Sequence, residues 1–266
     1  MSNFLIMLIM LHFVGDYYLQ FKKLADFKEI NLWGVVLHSI LYSVPAFISI
    51  MLVDGSNYLI WIAIMCGTHF IIDFIKFFVK PLCFTPKANA EEPEPDKHIL
   101  KVDIRYFTDQ LLHLITIISI SIWFLQSNPD IGMNPTIRNI LNIRHEQLTL
   151  LFQAAAAFVV VLQPVSLTFY KIFNIDVLAD AKTPRNKEDA NDRPVDIKGT
   201  GAIIGFMERI IMLCLLILGE YTAIGFVIAG KSIIRFNSNV KQEFFIVGTF
   251  YGIITTIFTY ILFFKM

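Results

Sequence analysis

Charge is scarce in this chain. Asp, Glu, Lys and Arg make up 17% of its 266 residues, against about a quarter in an ordinary soluble domain. Neither sign prevails, with 22 Lys and Arg against 22 Asp and Glu, and that balance argues against nucleic acid as a partner. Cysteine is also rare. Cys66, Cys83 and Cys214 form no C-x-x-C motif, and an odd number cannot pair fully within one chain. They read as small apolar filler plus one loop thiol. The first apolar run lacks a basic n-region and a small-residue cleavage site, so it reads as a retained helix and not a signal peptide.

What the chain has instead is apolar mass. Hydrophobic residues make up 56%, Phe alone occurs 25 times, and the mean hydropathy is +0.62. Several apolar runs approach or exceed the roughly 20 residues that cross a bilayer as a helix. The pattern predicts an all-α, polytopic transmembrane helix bundle of about eight spans in two four-helix halves. The expected spans are 3–19, 32–53 with a kink at Pro45, 58–79, 105–125, 148–173, 201–218, 221–236 and 244–264. The first half, 1–125, holds a His/Asp metal site. Residues 126–147 form an extracytoplasmic connection with a short surface helix near Ile137–Ile143. The second half, 148–266, includes a polar cytoplasmic loop at 174–199. Another polar loop, 80–101, carries Glu91-Glu92-Pro93-Glu94-Pro95-Asp96. The span 221–236 is short enough to be tilted, re-entrant or a hairpin with its predecessor.

Basic residues set the expected orientation. They fall in alternate loops: Lys22, Lys23 and Lys28, then Lys80, Lys87, Lys97 and Lys101, then Lys182, Arg185, Lys187, Arg193 and Lys198. The connection at 126–147 has only Arg138 and Arg144. The expectation is a multi-pass protein of a bacterial cytoplasmic (inner) membrane, with both termini extracytoplasmic and membrane lipid as its surroundings. Oligomeric state leaves no readable signal.

Within the apolar segments, a few polar residues recur in pairs. His12 and Asp16, His69 and Asp73, and Asp109 and His113 each stand four apart, and His38 lies between the first two pairs. That spacing puts each pair on one helix face. In the expected topology all seven lie at one level, roughly 5–12 Å inside the cytoplasmic edge at 1.5 Å rise per residue. Burying such groups without partners costs several kcal/mol. Bundle cores build metal sites from side chains placed this way. A thiolate-free set of N and O donors suits zinc, manganese or iron. Four His and three Asp exceed one tetrahedral ion, so the expected cofactor is one divalent ion with hydrogen-bonded support, or two ions. Gln20 and Gln110 flank the motifs and are expected to orient the ligands or contact substrate. Ser39 and Thr68 read as helix-packing residues.

The second half carries another polar set. Gly199-Thr200-Gly201-Ala202-Ile203-Ile204-Gly205 leads into Phe206-Met207-Glu208-Arg209. It lacks the Lys-Ser/Thr ending of a phosphate loop, and its glycines allow close helix contact. Glu208 and Lys231, buried, should pair with each other or with the metal cluster, and Arg235 shares a helix face with Lys231. These three are candidates for supporting the metal or holding substrate. Glu243, Gly248-Thr249, Gln163 and Pro164 read mainly as packing.

The runs His12-Phe-Val-Gly-Asp16-Tyr-Tyr-Leu-Gln20, Leu37-His38, His69-Phe-Ile-Ile-Asp73 and Asp109-Gln110-Leu-Leu-His113 resemble the bacterial membrane proteins of the DUF3307 family. Ile204-Gly205-Phe-Met-Glu208-Arg209, Ala229-Gly230-Lys231-Ser232-Ile-Ile-Arg235-Phe236 and Ile246-Val247-Gly248-Thr249 are similar to its longer members. The resemblance implies a polytopic membrane fold and names no reaction. The layout is also similar to membrane proteins labelled metal-dependent hydrolases. The expected function is an intramembrane metalloprotein hydrolysing a lipid or phosphoester at the inner leaflet. The alternative is a proton or metal-ion transporter or channel using the same cluster. A purely structural polar core is the third reading.

Overall fold

The computed structural model describes residues 1–54, 58–83, 102–142, 144–173, 200–236 and 242–265. The expected loops 84–101 and 174–199 lie outside them. The described chain is all-helical but for one two-residue ladder. The helices are α1 Asn3–Phe13, continued by a π-helical turn at Val14–Tyr18, α2 Lys22–Ile30, α3 Leu32–Leu52, α4 Tyr58–Cys83, α5 Ile104–Ser127, α6 Pro135–Leu141, α7 His145–Ile172, α8 Thr200–Leu218, α9 Tyr221–Phe236 and α10 Gln242–Phe264.

Helices occupy all eight segments expected to span. Among the described residues, five are long and apolar enough to cross a membrane: Leu32–Leu52, Tyr58–Val79, Ile104–Gln126, Gln147–Ile172 and Ile246–Phe264. A sixth arises if the bent pair Asn3–Tyr18 and Lys22–Ile30 counts as one span. Most ends shift by one to three residues, and two larger differences stand out. α4 continues through Pro81 to Cys83, so helix replaces loop at 80–83. The first segment is not a uniform α-helix, because its last turn is π. Pro45 sits inside an unbroken α3.

The chain forms two compact units. The first contains α1 to α6 and α7 up to Val159; the second contains α7 from Val160 and α8 to α10.

In the first unit, one end of the bundle is tied by polar contacts. Val53 and Asp54 pair antiparallel with Met133 and Gly132. The Asn134 amide donates to the Leu52 carbonyl at 2.9 Å. The Asp130 carboxylate accepts from the amides of Asn3 at 2.7 Å and Phe4 at 2.9 Å. A negative group there satisfies two free N–H donors and faces the positive end of the α1 dipole. The start of α1, the end of α3 and the segment after α5 therefore meet at this end, so α1 and α4 run away from it while α3 and α5 run toward it. α6 is the expected short connecting helix, with Pro135 in its first turn and the Asn134 side chain accepting from Thr136 at 3.0 Å.

Below the tie lies an aromatic plug. Phe4 and Phe124 stack at 3.9 Å, with Tyr58 and Trp61 edge-on around them. All four are buried. Met7, Leu8, Leu11, Ile62, Met65 and Ile117 continue the core toward the other end.

At that other end the chain turns by 87° from the π turn into α2. α2 buries only Leu24 fully and lies against α3 at Gly34. A Cβ at Gly34 would stand 2.5 Å from the Lys28 amide nitrogen and 2.6 Å from the Phe27 carbonyl carbon. Those neighbours are backbone and cannot rotate away.

Two substitutions test this architecture by thermal unfolding in detergent. Gly34→Ala should push α2 off α3 at a cost of about 1–3 kcal/mol, and an unchanged midpoint would contradict the close backbone approach. Asp130→Ala should cost about 0.5–2 kcal/mol by uncapping α1, whereas full stability would deny Asp130 that role.

Candidate metal centre

The π turn prepares the site. Its signature bond runs from the Leu19 amide to the Val14 carbonyl at 3.1 Å, one residue further than in an α-helix. The wider turn carries both Asp16 and Tyr17 inward, leaving 7% of the Asp16 side chain and 8% of Tyr17 exposed. Such turns inside α-helices are frequent at functional sites. Gly15 completes the arrangement, because a Cβ there would run into the Tyr42 ring. Tyr42 lies on α3 and stacks on His69 of α4, with centroids 3.6 Å apart and planes 21° apart.

Around this stack the seven predicted His and Asp residues come together. Asp16 Oδ1 lies 3.1 Å from His38 Nε2 and 3.0 Å from His69 Nε2. Asp16 Oδ2 is 3.9 Å from His12 Nε2. Asp73 Oδ2 is 3.4 Å from His38 Nε2 and 3.7 Å from His69 Nδ1. His113 Nε2 is 3.7 Å from Asp109 Oδ1 and 4.0 Å from Asp73 Oδ1. His69 and His113 stack at 4.4 Å. The four His and Asp73 are buried, and Asp109 leaves 10% of its side chain exposed.

Three overlapping groups have ligand atoms within 4.8 Å of one another: His12, His69 and His113; Asp16, His38 and His69; Asp73, Asp109 and His113. Together they use all seven residues. His69 and His113 are each shared by two groups.

The hydrogen-bond inventory points the same way. Among the described residues, seven buried side-chain N and O atoms have no hydrogen-bond partner. They are His12 Nε2, His38 Nδ1, His69 Nδ1, Asp73 Oδ1 and Oδ2, Asp109 Oδ1 and His113 Nε2. Every one belongs to the cluster, and of the seven Asp73 Oδ2 alone faces an ammonium, that of Lys28. Leaving a buried polar atom unpaired costs about 1–3 kcal/mol, and such atoms are rare in folded proteins. Several orphaned atoms on converging imidazoles and carboxylates fit a divalent cation. The buried His and Asp groups can therefore hold a metal ion.

Neighbouring residues hold the donors in orientation. Gln110 donates to Asp16 Oδ2 at 3.2 Å. Tyr17 donates to the Gln110 side-chain carbonyl at 3.0 Å and shares a 2.6 Å hydrogen bond with the Tyr106 hydroxyl. Tyr42 Oη is 3.4 Å from His12 Nδ1. With that Nδ1 carrying the proton, Nε2 directs its lone pair into the cluster. Gln20, by contrast, falls at the break between the π turn and α2 and hydrogen-bonds none of the seven.

Two cations in the cluster are absent from the sequence-based set. Lys28 of α2 brings its ammonium to 2.6 Å from Asp73 Oδ2 as an ion pair off the hydrogen-bond line. Lys76 of α4 donates to Asp109 Oδ2 at 2.5 Å. Lys28 reads in sequence as a loop charge that sets topology. Lys76 stands three residues beyond Asp73 and seven beyond His69, a helical spacing that offered the only signal.

In the second unit, Glu208 of α8 and Lys231 of α9 form an ion pair, which meets one of the two expected pairings. Arg209 is buried. It donates to the Val161 carbonyl at 2.9 Å, the Leu162 carbonyl at 3.3 Å and Ser166 Oγ at 2.5 Å. Both carbonyls lie within the turn before Pro164. Arg209 therefore ties α8 to α7 beside the proline. The side chains of Arg235 and Glu243 lie outside the described residues.

A family model described as "Protein of unknown function (DUF3307)" matches residues 4–139. The match takes in just over half of the chain, from α1 into α6, and includes all seven His and Asp residues. No curated protein and no solved structure matches the chain. The chain belongs to the DUF3307 family.

Proposed function

We propose that this chain is an integral membrane metalloprotein that hydrolyses a lipid or phosphoester at the cytoplasmic leaflet. The observation that carries the metal part is the coincidence between the orphaned buried atoms and the three ligand groups. His12, Asp16, His38, His69, Asp73, Asp109 and His113 would hold one divalent ion or two. Zinc, manganese and iron all suit an N/O donor set without thiolate. When bound, such an ion supplies Lewis-acid polarisation of a phosphoryl or carbonyl group and activates water near neutral pH.

The chain's own residues would do the rest. Gln110 and the Tyr17–Tyr106 pair fix the Asp16 carboxylate. Tyr42 and Gly15 fix the His69 ring plane. The aromatic plug of Phe4, Phe124, Tyr58 and Trp61 closes the bundle on the side of the α1 start. A site closed on one side suits chemistry on a substrate arriving from the other better than passage through the membrane. An apolar groove of about 780 Å³ runs along the outer faces of α3 and α4, between Phe47 and Phe70 and over Ser39, Ser43, Ala63 and Gly67. It offers room for an acyl chain beside the helices that bear His38 and His69, which favours a lipid substrate. The eight-span arrangement in two halves, the inner-membrane location and the outward termini belong to the same reading.

Elemental analysis of the purified full-length protein tests it. The wild type is expected to retain a stoichiometric divalent metal, and His69→Ala, which removes a donor shared by two groups, to lose most of it. Full metal content in His69→Ala would rule out His69 as an essential ligand. With metal fully bound, turnover of lipid or phosphoester substrates is expected; ion flux in liposomes without turnover would replace hydrolysis by transport.

A further inference from the structure

Resting on the metal reading above, we propose that Lys28 and Lys76 make the centre an oxyanion site, so that its substrate carries a phosphate-type group next to the metal. The two ammonium groups arrive from different elements and meet the two carboxylates of one ligand group. Lys28 reaches Asp73 from α2, and Lys76 reaches Asp109 from one turn further along α4. Asp73 and Asp109 are the carboxylates that His113 joins in the third ligand group.

Charge balance gives the argument its direction. Three carboxylates, Asp16, Asp73 and Asp109, face two ammonium groups, which leaves one negative charge. Histidines that ligate a metal are neutral. One divalent ion turns the site to a single positive charge, and two ions turn it to three. Part of that positive charge, on the 46% exposed Lys76, lies at the open side of the site, where it draws in an anion. A metal on the open Oδ1 atoms of Asp73 and Asp109 would leave each ammonium on the outer Oδ2, beside the metal and able to turn toward an incoming anion. Lysine holds phosphate oxygens as a mobile point charge. A neutral ester or amide would gain nothing from these two ammonium groups.

Access differs between the two lysines. The Lys76 side chain is 46% exposed and that of Lys28 is 13% exposed. Lys76 therefore meets an incoming anion first. Lys28 depends on the close α2–α3 contact at Gly34, which makes α2 the element that completes the anion site.

The shared chemistry is a phosphate oxyanion, from a lipid headgroup or a soluble molecule. The test uses full-length protein in detergent, loaded with Mn²⁺ and dialysed, with metal content and phosphate retention measured in parallel. The probes are inorganic phosphate, phosphatidic acid in mixed micelles, and uncharged diacylglycerol. The loaded wild type is expected to bind inorganic phosphate or phosphatidic acid and not diacylglycerol. Preference for phosphatidic acid identifies a lipid source, and equal or better binding of inorganic phosphate a soluble one. Lys76→Gln should weaken anion binding by about tenfold, the scale of one charge-assisted hydrogen bond. Lys28→Gln combined with Lys76→Gln should abolish it, with Mn²⁺ content unchanged. Because Lys76 is half exposed, its single variant serves even if the double variant fails to fold. Mn²⁺-loaded wild type that binds neither anion, or Lys76→Gln that binds phosphate at full strength, would overturn the proposal alone. Wild type that takes up no Mn²⁺ would overturn it together with the metal reading.

Discussion

An imidazole or carboxylate buried without a partner is expensive, and the first unit concentrates that expense in one place. Each orphaned atom costs about 1–3 kcal/mol, against a total stability of only about 5–15 kcal/mol for a typical domain. Among the described residues, the bundle nevertheless brings to one cluster all seven buried side-chain atoms that lack a hydrogen bond, of which Asp73 Oδ2 is offset by the Lys28 ammonium. Serine and threonine hydroxyls along the helices return to carbonyls of the preceding turn, as with Ser39, Thr68 and Thr116. Asn3 and Asp130 close the opposite end. A core that settles its polarity so thoroughly outside the cluster has a use for what it leaves open inside.

That reading explains several otherwise separate features. The π turn costs regular helix geometry, yet it directs Asp16 and Tyr17 inward together. Gly15 gives up a side chain so that Tyr42 can lie flat on His69. Gly34 gives up another so that α2 can bring Lys28 to Asp73. The second unit handles its charges differently. Glu208 is matched by Lys231, and Arg209 is held by the Val161 and Leu162 carbonyls and Ser166 of α7. These charges are matched within the unit, whereas the open buried donors among the described residues lie in the first unit.

Much of this was legible in the sequence because membrane helices leave so few polar residues to choose from. Four-residue spacing and alternating helix direction brought His12, His69, Asp73 and His113 to one level without any knowledge of packing. The bends were not legible. Nothing in Val14-Gly15-Asp16-Tyr17-Tyr18 announces a π turn, since the propensities of these residues do not separate i→i+4 from i→i+5 bonding. Gln20 was expected to orient the ligands or contact substrate, and it falls at the break before α2. Lys28 and Lys76 were missed for a related reason: a lysine near the end of an apolar segment reads as an interfacial charge, and only tertiary contact turns it inward. Tyr42 gave no signal because a single tyrosine at a helical position acquires its meaning from its neighbour.

X-ray absorption at the metal edge of the protein as purified tests the central claim most directly, because it reads the ligand shell rather than the metal content. The account predicts a shell of nitrogen and oxygen alone, with the outer-shell scattering of several imidazoles and no sulfur. A sulfur-containing shell would move the metal to a site built on cysteine, and protein that carries no metal after growth and purification with metal supplied would leave the cluster without the ion its open donors require.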